Sequence, residues 1–186
     1  MTLPPVADLR FTHFGLFVQD VDTMAAFYKE MLGFVETDRG WLGDRQLVFL
    51  SRDPAEHHQI VFVSGLTGPP AEDVVNQMSF RMGTLEALLD FARAIAKRKV
   101  ADLRPINHGN AWSVYFRDPE GSRIEVYTPS PWYISQPCRE PFDLDRSAQV
   151  IRTETEAWCR TQPRFEPANS YQARLAETMA EVMRRR

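Results

Sequence analysis

The period of apolar and polar positions changes several times along this chain, and each change marks an element. "FTHFGLFV" (Phe11–Val18) is a β-rich apolar run. In "DVDTMAAFYKEMLGF", Met24, Phe27, Tyr28 and Met31 recur at helical spacing, with Asp22 as the expected N-cap and Gly33 as the stop. "FVETDRG" and "RQLVFLS" predict strands joined by a turn at Trp41-Leu42-Gly43-Asp44, and "HHQIVFV" predicts a further strand. The same order then recurs. "NQMSFRM" (Asn76–Met82) predicts a strand and "TLEALLDFARAIAKR" (Thr84–Arg98) a helix capped by Thr84. "DLRPINHG", "AWSVYFRD" and "SRIEVYT" predict three extended segments, the last two parted by the turn Asp118-Pro119-Glu120-Gly121. An offset of 64 pairs His13 with Gln77, Leu16 with Phe80, Val18 with Met82 and Phe27 with Phe91. The chain therefore reads as two βαβββ modules, residues 10–63 and 75–128.

Between the modules lies "SGLTGPPAED" (Ser64–Asp73), rich in Gly and Pro. Residues 1–9 read as an N-terminal tail and 10–130 as one α+β domain, whose paired modules are expected to form a half-open barrel. Beyond it, residues 131–186 form a Pro-rich linker and a helical C-terminal extension. "TPSPWYISQPCREPFD" is too dense in Pro for regular structure, whereas Leu144–Arg160 and Ser170–Arg185 read as helices. In the second, Leu175, Met179 and Val182 share a face, with Ala176 and Met183 beside them. That stripe predicts a cap packed on the domain or on a neighbouring subunit.

Composition narrows the class. At 186 residues and 44% hydrophobic, the chain suits one domain with an appendage. A net charge of −3 gives no basic surface for nucleic acid or an anionic membrane. The basic run Arg184-Arg185-Arg186 suits the end of a final helix. No apolar stretch approaches the ~20 residues that cross a bilayer, and "MTLPPVADLR" lacks the pattern of a secretory signal. Cys138 and Cys159 alone make neither a disulfide framework nor a thiolate metal site, so a reducing cytoplasm is expected. Apolar sheet edges and the helical tail lead us to expect a homo-oligomer.

Candidate chemistry follows from the repeat. If the modules pair, the first and last strands of each point side chains into one cavity. Those strands offer His13, His57 or His58, Gln77 and Glu125. Taken singly, a strand histidine is more often a core residue and a strand glutamate more often solvated. Joint placement on equivalent strands changes that balance. A buried mid-strand carboxylate costs several kcal/mol unless a cation or strong donors meet it. Two imidazoles and a carboxylate make the facial triad that suits non-haem Fe(II), with Mn(II) also possible, and leave positions open for substrate and oxygen. Alternation places His58 on the face of Ile60 and Phe62, and His57 with Gln59 and Val61. That selects His58 as the ligand and leaves His57 outward or bonding the loop.

"THFGLFVQDVDTMAAFYKEMLGF", "NQMSFRM" and "YFRDPEGSRIEVY" resemble the vicinal oxygen chelate superfamily, which includes glyoxalase I, antibiotic-resistance proteins and type I extradiol dioxygenases. "NHGNAWSVYFRDPEGSRIE" and "FLSRDPAEHHQIVFV" resemble the single-domain extradiol dioxygenases of the dihydroxybiphenyl and catechol type. The resemblance implies that His13 and Glu125 are metal ligands and that Tyr115 hydrogen-bonds a substrate oxygen. It also places His108 and Asn110 near the substrate. Two-domain extradiol enzymes carry histidine where this chain has Gln77, so either His58 supplies the second imidazole, or Gln77 ligates, or the metal is lost. The implied reaction is cleavage of a catechol-type aromatic diol by O2 at Fe(II), with His108 exchanging a proton near neutral pH. Trp112, Phe80 and Trp132 are candidate pocket aromatics, with core packing the favoured role for Phe80. A glyoxalase-like isomerase or transferase, and a metal-free aromatic-binding resistance protein, are the alternatives.

Overall fold

A computed structural model describes residues 10–68 and 75–184. The tail 1–9, residues 69–74 at the inter-module separator, Arg185-Arg186 and the Met183 side chain lie outside the described residues. The first module runs β1 (Phe14–Val18), α1 (Val21–Leu32), β2 (Val35–Leu42), β3 (Arg45–Ser51) and β4 (Ile60–Ser64). The second runs β5 (Met78–Arg81), α2 (Leu85–Lys97), β6 (Ala101–Asn107), β7 (Ala111–Arg117) and β8 (Arg123–Pro129). The extension carries β9 (Trp132–Tyr133), β10 (Glu140–Pro141), α3 (Ala148–Cys159), β11 (Glu166–Pro167) and α4 (Ala168–Arg184). The fold is mixed α+β, as the periodicity predicts, with two βαβββ modules and a helical extension.

The sheets have the strand orders β1-β4-β3-β2 and β10-β6-β7-β8-β5, with a small β11-β9 ribbon besides. The chain divides into two compact units. The first is Arg10–Met78 with Arg117–Ile124, and the second comprises residues 79–116 and 125–184.

In the first unit, β1 and β4 run parallel, with Phe14 opposite Ile60 and Gly15 opposite Val61. One face of the sheet is built from Val18, Val48, Leu50, Ile60 and Phe62, all buried, and α1 packs over it. Tyr28 of that helix meets Phe62 edge-on at 5.0 Å. The helix is capped by Asp20, not the expected Asp22; its carboxylate accepts from the backbone N–H of Asp22 and Thr23. Asp22 falls in the first turn instead, where its charge suits the helix dipole. Gly33 ends the helix in the left-handed region, at φ 71°. The turn Arg117–Ile124 belongs to this unit and explains its own sequence. Glu120 accepts from the backbone N–H of Gln19 and Asp20, while the Asp118 carboxylate accepts from Glu120 N, Ser122 N and the Tyr28 hydroxyl.

In the second unit, α2 is capped by Thr84 as predicted and buries Leu85, Leu88, Leu89, Ala92 and Ile95. Trp112, Val114, Phe116, Val126 and Thr128 are the buried residues of the opposing sheet face. Helix α3 lays Ile151, Thr155 and Cys159 into the core, and its Arg152 makes a two-point pair with Glu86 of α2. The Pro-dense segment holds β9 and β10, contrary to expectation, because Glu140 and Pro141 pair with Asn107 and Ile106 at a sheet edge, where a proline's missing donor is tolerated. The first turn of α4 docks through Tyr171, stacked at 3.7 Å on Tyr133. Its predicted apolar stripe is not packed on the domain: Leu175, Met179 and Val182 are 38%, 56% and 49% exposed.

The chain turns from β6 into β7 at Gly109, whose φ is +76° and whose added Cβ would lie 2.3 Å from Ile134 Cδ1. Gly109→Ala is expected to cost about 2–4 kcal/mol, combining overpacking with left-handed strain. Urea unfolding with an unchanged m-value would check this.

Candidate functional site

The histidines of the first unit sit at strand entrances rather than within strands. His13 immediately precedes β1, and His57 and His58 close the loop before β4, which begins at Ile60. Sequence reasoning extended both strands too far. Gln59 already bonds through its backbone to Leu50 O and Phe14 N while its side chain accepts from Arg52 N, so only the two histidines before it fall in the loop. Because β1 and β4 are parallel neighbours, their entrances lie side by side. The His13 and His58 rings are 4.4 Å apart, tilted by 49°. Two imidazoles sharing one ion at a right angle, with metal–nitrogen bonds of about 2.1 Å, have ring centres roughly 4.5 Å apart.

In both rings Nδ1 is engaged. His13 Nδ1 is 3.0 Å from the Thr12 hydroxyl, and His58 Nδ1 is 3.0 Å from His57 Nδ1. The other nitrogen, Nε2, is the one a metal would take. His57 is exposed, with Nε2 3.8 Å from the Asp38 carboxylate. Phe49 sets its edge against His58 at 5.1 Å. Burial first, then the neighbouring charges of His13 and His57, hold His58 below the ordinary imidazole value. The sheet face around Phe49 continues in Phe17, Leu47, Val61 and Val63, apolar and only partly covered.

Gln77 lies just before β5, the position that the repeat makes equivalent to His13, and it is half-buried. A cavity of about 370 Å³ in this unit is lined by Leu16, Val18, Leu66, Met78, Arg117 and Arg123 among others, and none of the predicted ligands lines it.

The second unit holds the carboxylate. Glu125 is mid-strand in β8 between Ile124 and Val126, and it is 8% exposed. Its neighbours in the sheet, β5 and β7, each supply a donor. The Ser79 hydroxyl donates to Oε2 at 2.5 Å and the Tyr115 hydroxyl to Oε1 at 2.6 Å. Hydrogen bonds to a charged acceptor are worth about 1.5–3 kcal/mol each, enough to offset much of the burial cost. The Tyr115 oxygen is 3.0 Å from His108 Nε2, and His108 Nδ1 is 2.6 Å from the Cys138 carbonyl. The result is a line of contacts from Ser79 through Glu125, Tyr115 and His108 to Cys138. Asn110 occupies the same turn as His108, and its carbonyl accepts from Ser130 N.

Of the candidate pocket aromatics, Trp112 lies in the core instead. Trp112 is 2% exposed, donates to the Thr155 hydroxyl of α3 and meets Trp132 edge-on, so it is part of the helix-side core. Phe80 is half-buried on β5. Sequence reasoning missed Ser79. The repeat carries its signal, since the offset that pairs His13 with Gln77 also pairs Gly15 with Ser79 and Val61 with Glu125. Among the described residues no group of three or more His, Cys, Asp or Glu side chains gathers to hold a metal ion. The histidine pair lies in the first unit, and the hydrogen-bonded carboxylate lies in the second.

A repeated βαβββ module with donors at its strand entrances and a carboxylate in its last strand defines a class. The chain belongs to the glyoxalase/bleomycin resistance protein/dioxygenase superfamily, whose family model matches residues 10–126. Among curated proteins it is 24% identical over 173 residues to biphenyl-2,3-diol 1,2-dioxygenase 2 of Rhodococcus globerulus, covering 80% of this chain and 88% of that one. It is 29% identical over 128 residues to the metapyrocatechase of Pseudomonas sp. strain CF600, covering 64% of this chain and 39% of that protein. Among solved structures, a glyoxylase/bleomycin resistance protein/dioxygenase domain from Frankia sp. EAN1pec superposes with a TM-score of 0.56 at 23% identity, covering 69% and 94% of the two chains. The Mn(II) complex of a fosfomycin resistance protein from Listeria monocytogenes gives 0.52 at 18% identity, covering 67% and 94%. These structural likenesses establish the fold.

The depressed His58 has a readable consequence. Below about pH 6.5 the unfolded chain takes up a proton that folded His58 resists. Its contribution to stability is therefore full above that pH and lost as pH falls toward the folded value. In an NMR titration of metal-free protein, His58 is expected to show a midpoint below 6.5; an ordinary or raised midpoint would contradict the packing described.

Proposed function

We propose that this protein is an extradiol ring-cleaving dioxygenase that opens a catechol-type aromatic diol with Fe(II) and O2. The observation that carries the reading is the Glu125–Tyr115–His108 line. A carboxylate suited to a metal is bonded to a phenol, and the phenol is backed by an imidazole. Dioxygenase relatives acting on biphenyl-2,3-diol support the substrate class.

The proposed ligands are His13, His58 and Glu125, with Gln77 as the alternative to His58. Their chemistry fits Fe(II), and Mn(II) as a substitute: two imidazoles with Nε2 available and one anionic oxygen donor. When bound, such an ion supplies Lewis acidity toward both diol oxygens and a route for electrons to dioxygen. The chain's own residues do the rest. Tyr115 orients a diol oxygen through its hydroxyl, and His108 takes the released proton at Nε2 and later returns it. Asn110, in the same turn, is proposed to bond the substrate. The apolar face of Phe17, Phe49, Val61 and Val63 excludes water from the ring and suits a flat aromatic.

Metal analysis of protein purified without chelator, followed by anaerobic Fe(II) loading and a panel of catechols, tests the reading. Stoichiometric Fe or Mn with a yellow ring-opened product is the expected outcome. Bound Ni or Zn without cleavage would move the protein to the isomerase or transferase class, and no metal at all would leave an aromatic-binding protein. His58→Ala is expected to weaken metal retention by roughly 100-fold or more, with His57→Ala changing it by about 10-fold or less. If Gln77→Ala rather than His58→Ala releases the metal, the glutamine is the ligand.

A further inference from the structure

The matched family region ends at residue 126, yet His108 is held from beyond it. Three contacts converge. The Gln136 side-chain amide donates to the His108 carbonyl at 2.8 Å, and its oxygen accepts from Cys138 N at 3.1 Å. The Cys138 carbonyl then faces His108 Nδ1 at 2.6 Å. One exposed glutamine thus bridges the backbone of the histidine to the peptide that its ring contacts. The segment is anchored around it: Ser135 N donates to the Pro163 carbonyl, and Cys138 Sγ to the Ser135 carbonyl.

A carbonyl oxygen has no proton to give, so Nδ1 must carry one. In the neutral ring Nε2 is then a bare lone pair, aimed at the Tyr115 oxygen 3.0 Å away. The Tyr115 hydroxyl donates its one proton to Glu125 Oε1, and its oxygen faces His108 Nε2. Were the ring in the other tautomer, Nε2–H would point at Tyr115 and neutral His108 could accept nothing there.

We propose that Gln136 is a positioning residue of the C-terminal extension that locks His108 in its Nδ1–H tautomer and so makes Nε2 the proton acceptor facing Tyr115. The catalytic consequence rests on the dioxygenase reading; the tautomer itself does not. Nothing in the proposal requires Gln136 to touch substrate or metal.

The test is ¹⁵N NMR of histidine-labelled, metal-free protein, with His108→Gln assigning the signal. In the unsubstituted protein the His108 ring is expected as Nδ1–H with unprotonated Nε2. Gln136→Ala should shift it toward the Nε2–H form that a free imidazole favours. Cys138→Ala keeps the backbone carbonyl and should leave the tautomer unchanged, which separates the clamp from general damage to the segment. An Nε2–H ring in the starting protein, or a Gln136→Ala ring that stays Nδ1–H, overturns the proposal. In Fe(II)-loaded enzyme, Gln136→Ala should lower kcat by roughly 10-fold, a fraction of what a general base contributes, with KM little changed. The expected tautomer shift in a protein that cleaves no catechol would sink the dioxygenase reading and leave the clamp standing.

Discussion

A carboxylate 8% exposed in the middle of a β-strand is the demand around which the second module is arranged. Without partners, Glu125 would cost the sheet several kcal/mol. The strand order meets that demand, because β8 lies between β5 and β7 and each neighbour offers a hydroxyl to one carboxylate oxygen. Tyr115, committed to Glu125, needs its own ring held, and His108 stands beside its oxygen. His108 is in turn fixed by Cys138, and Cys138 by Gln136. The requirement of one buried charge thus propagates outward through the Tyr115, His108 and Gln136 side chains and the Cys138 backbone into a segment past the family domain. It gives the Pro-rich linker a physical reason to be ordered.

The two modules divide the chemistry asymmetrically from the same backbone plan. Gly15 opposite Val61 in the first corresponds by the repeat offset to Ser79 and Glu125 in the second. Gly15 is tightly packed, since an added Cβ would approach Val61 Cγ1 at 3.2 Å. The neighbours of Gly15 on that face, Phe17, Phe49, Val61 and Val63, are apolar, and His13 and His58 lie at the strand entrances. In the second module the same position accepts a serine because its cross-strand partner is a carboxylate that needs a donor.

Much of this was legible because it is local. Thr84 as a cap, Gly33 as a stop and the alternation of Ile60 and Phe62 are decided by neighbours a few residues away, and periodicity reads them correctly. The misplacements are at element ends. The loop carrying His57 and His58 runs up to β4, which begins at Ile60, and Asp20 takes the cap from Asp22 because its carboxylate reaches two orphan N–H groups. Trp112 could not be sorted into core or pocket from sequence, since its fate depends on Thr155, 43 residues away on α3. Gln136 carried no signal at all; a glutamine in a Pro-rich stretch acquires meaning only when the chain returns it to His108.

The "RDPEG" turn shows why a superfamily motif marks a fold and leaves the activity open. Asp118 ties the turn's own N–H groups and meets the buried Tyr28 hydroxyl, and Glu120 reaches across to the start of α1, accepting from Gln19 N and Asp20 N. Burial is the main cause pushing the Asp118 carboxyl above its usual range, and the hydrogen bonds it accepts hold that rise back. All of this work joins a turn of the second module to the helix of the first, and none of it touches a proposed ligand. Such residues here hold the fold together and say nothing of the reaction it runs. The discriminating residues are those that the module plan does not require: Tyr115, which a plain strand would fill with any aromatic, and the His108 turn behind it. Their connection to Glu125, more than the shared turn, is what supports the proposed ring cleavage over the other chemistries of the superfamily.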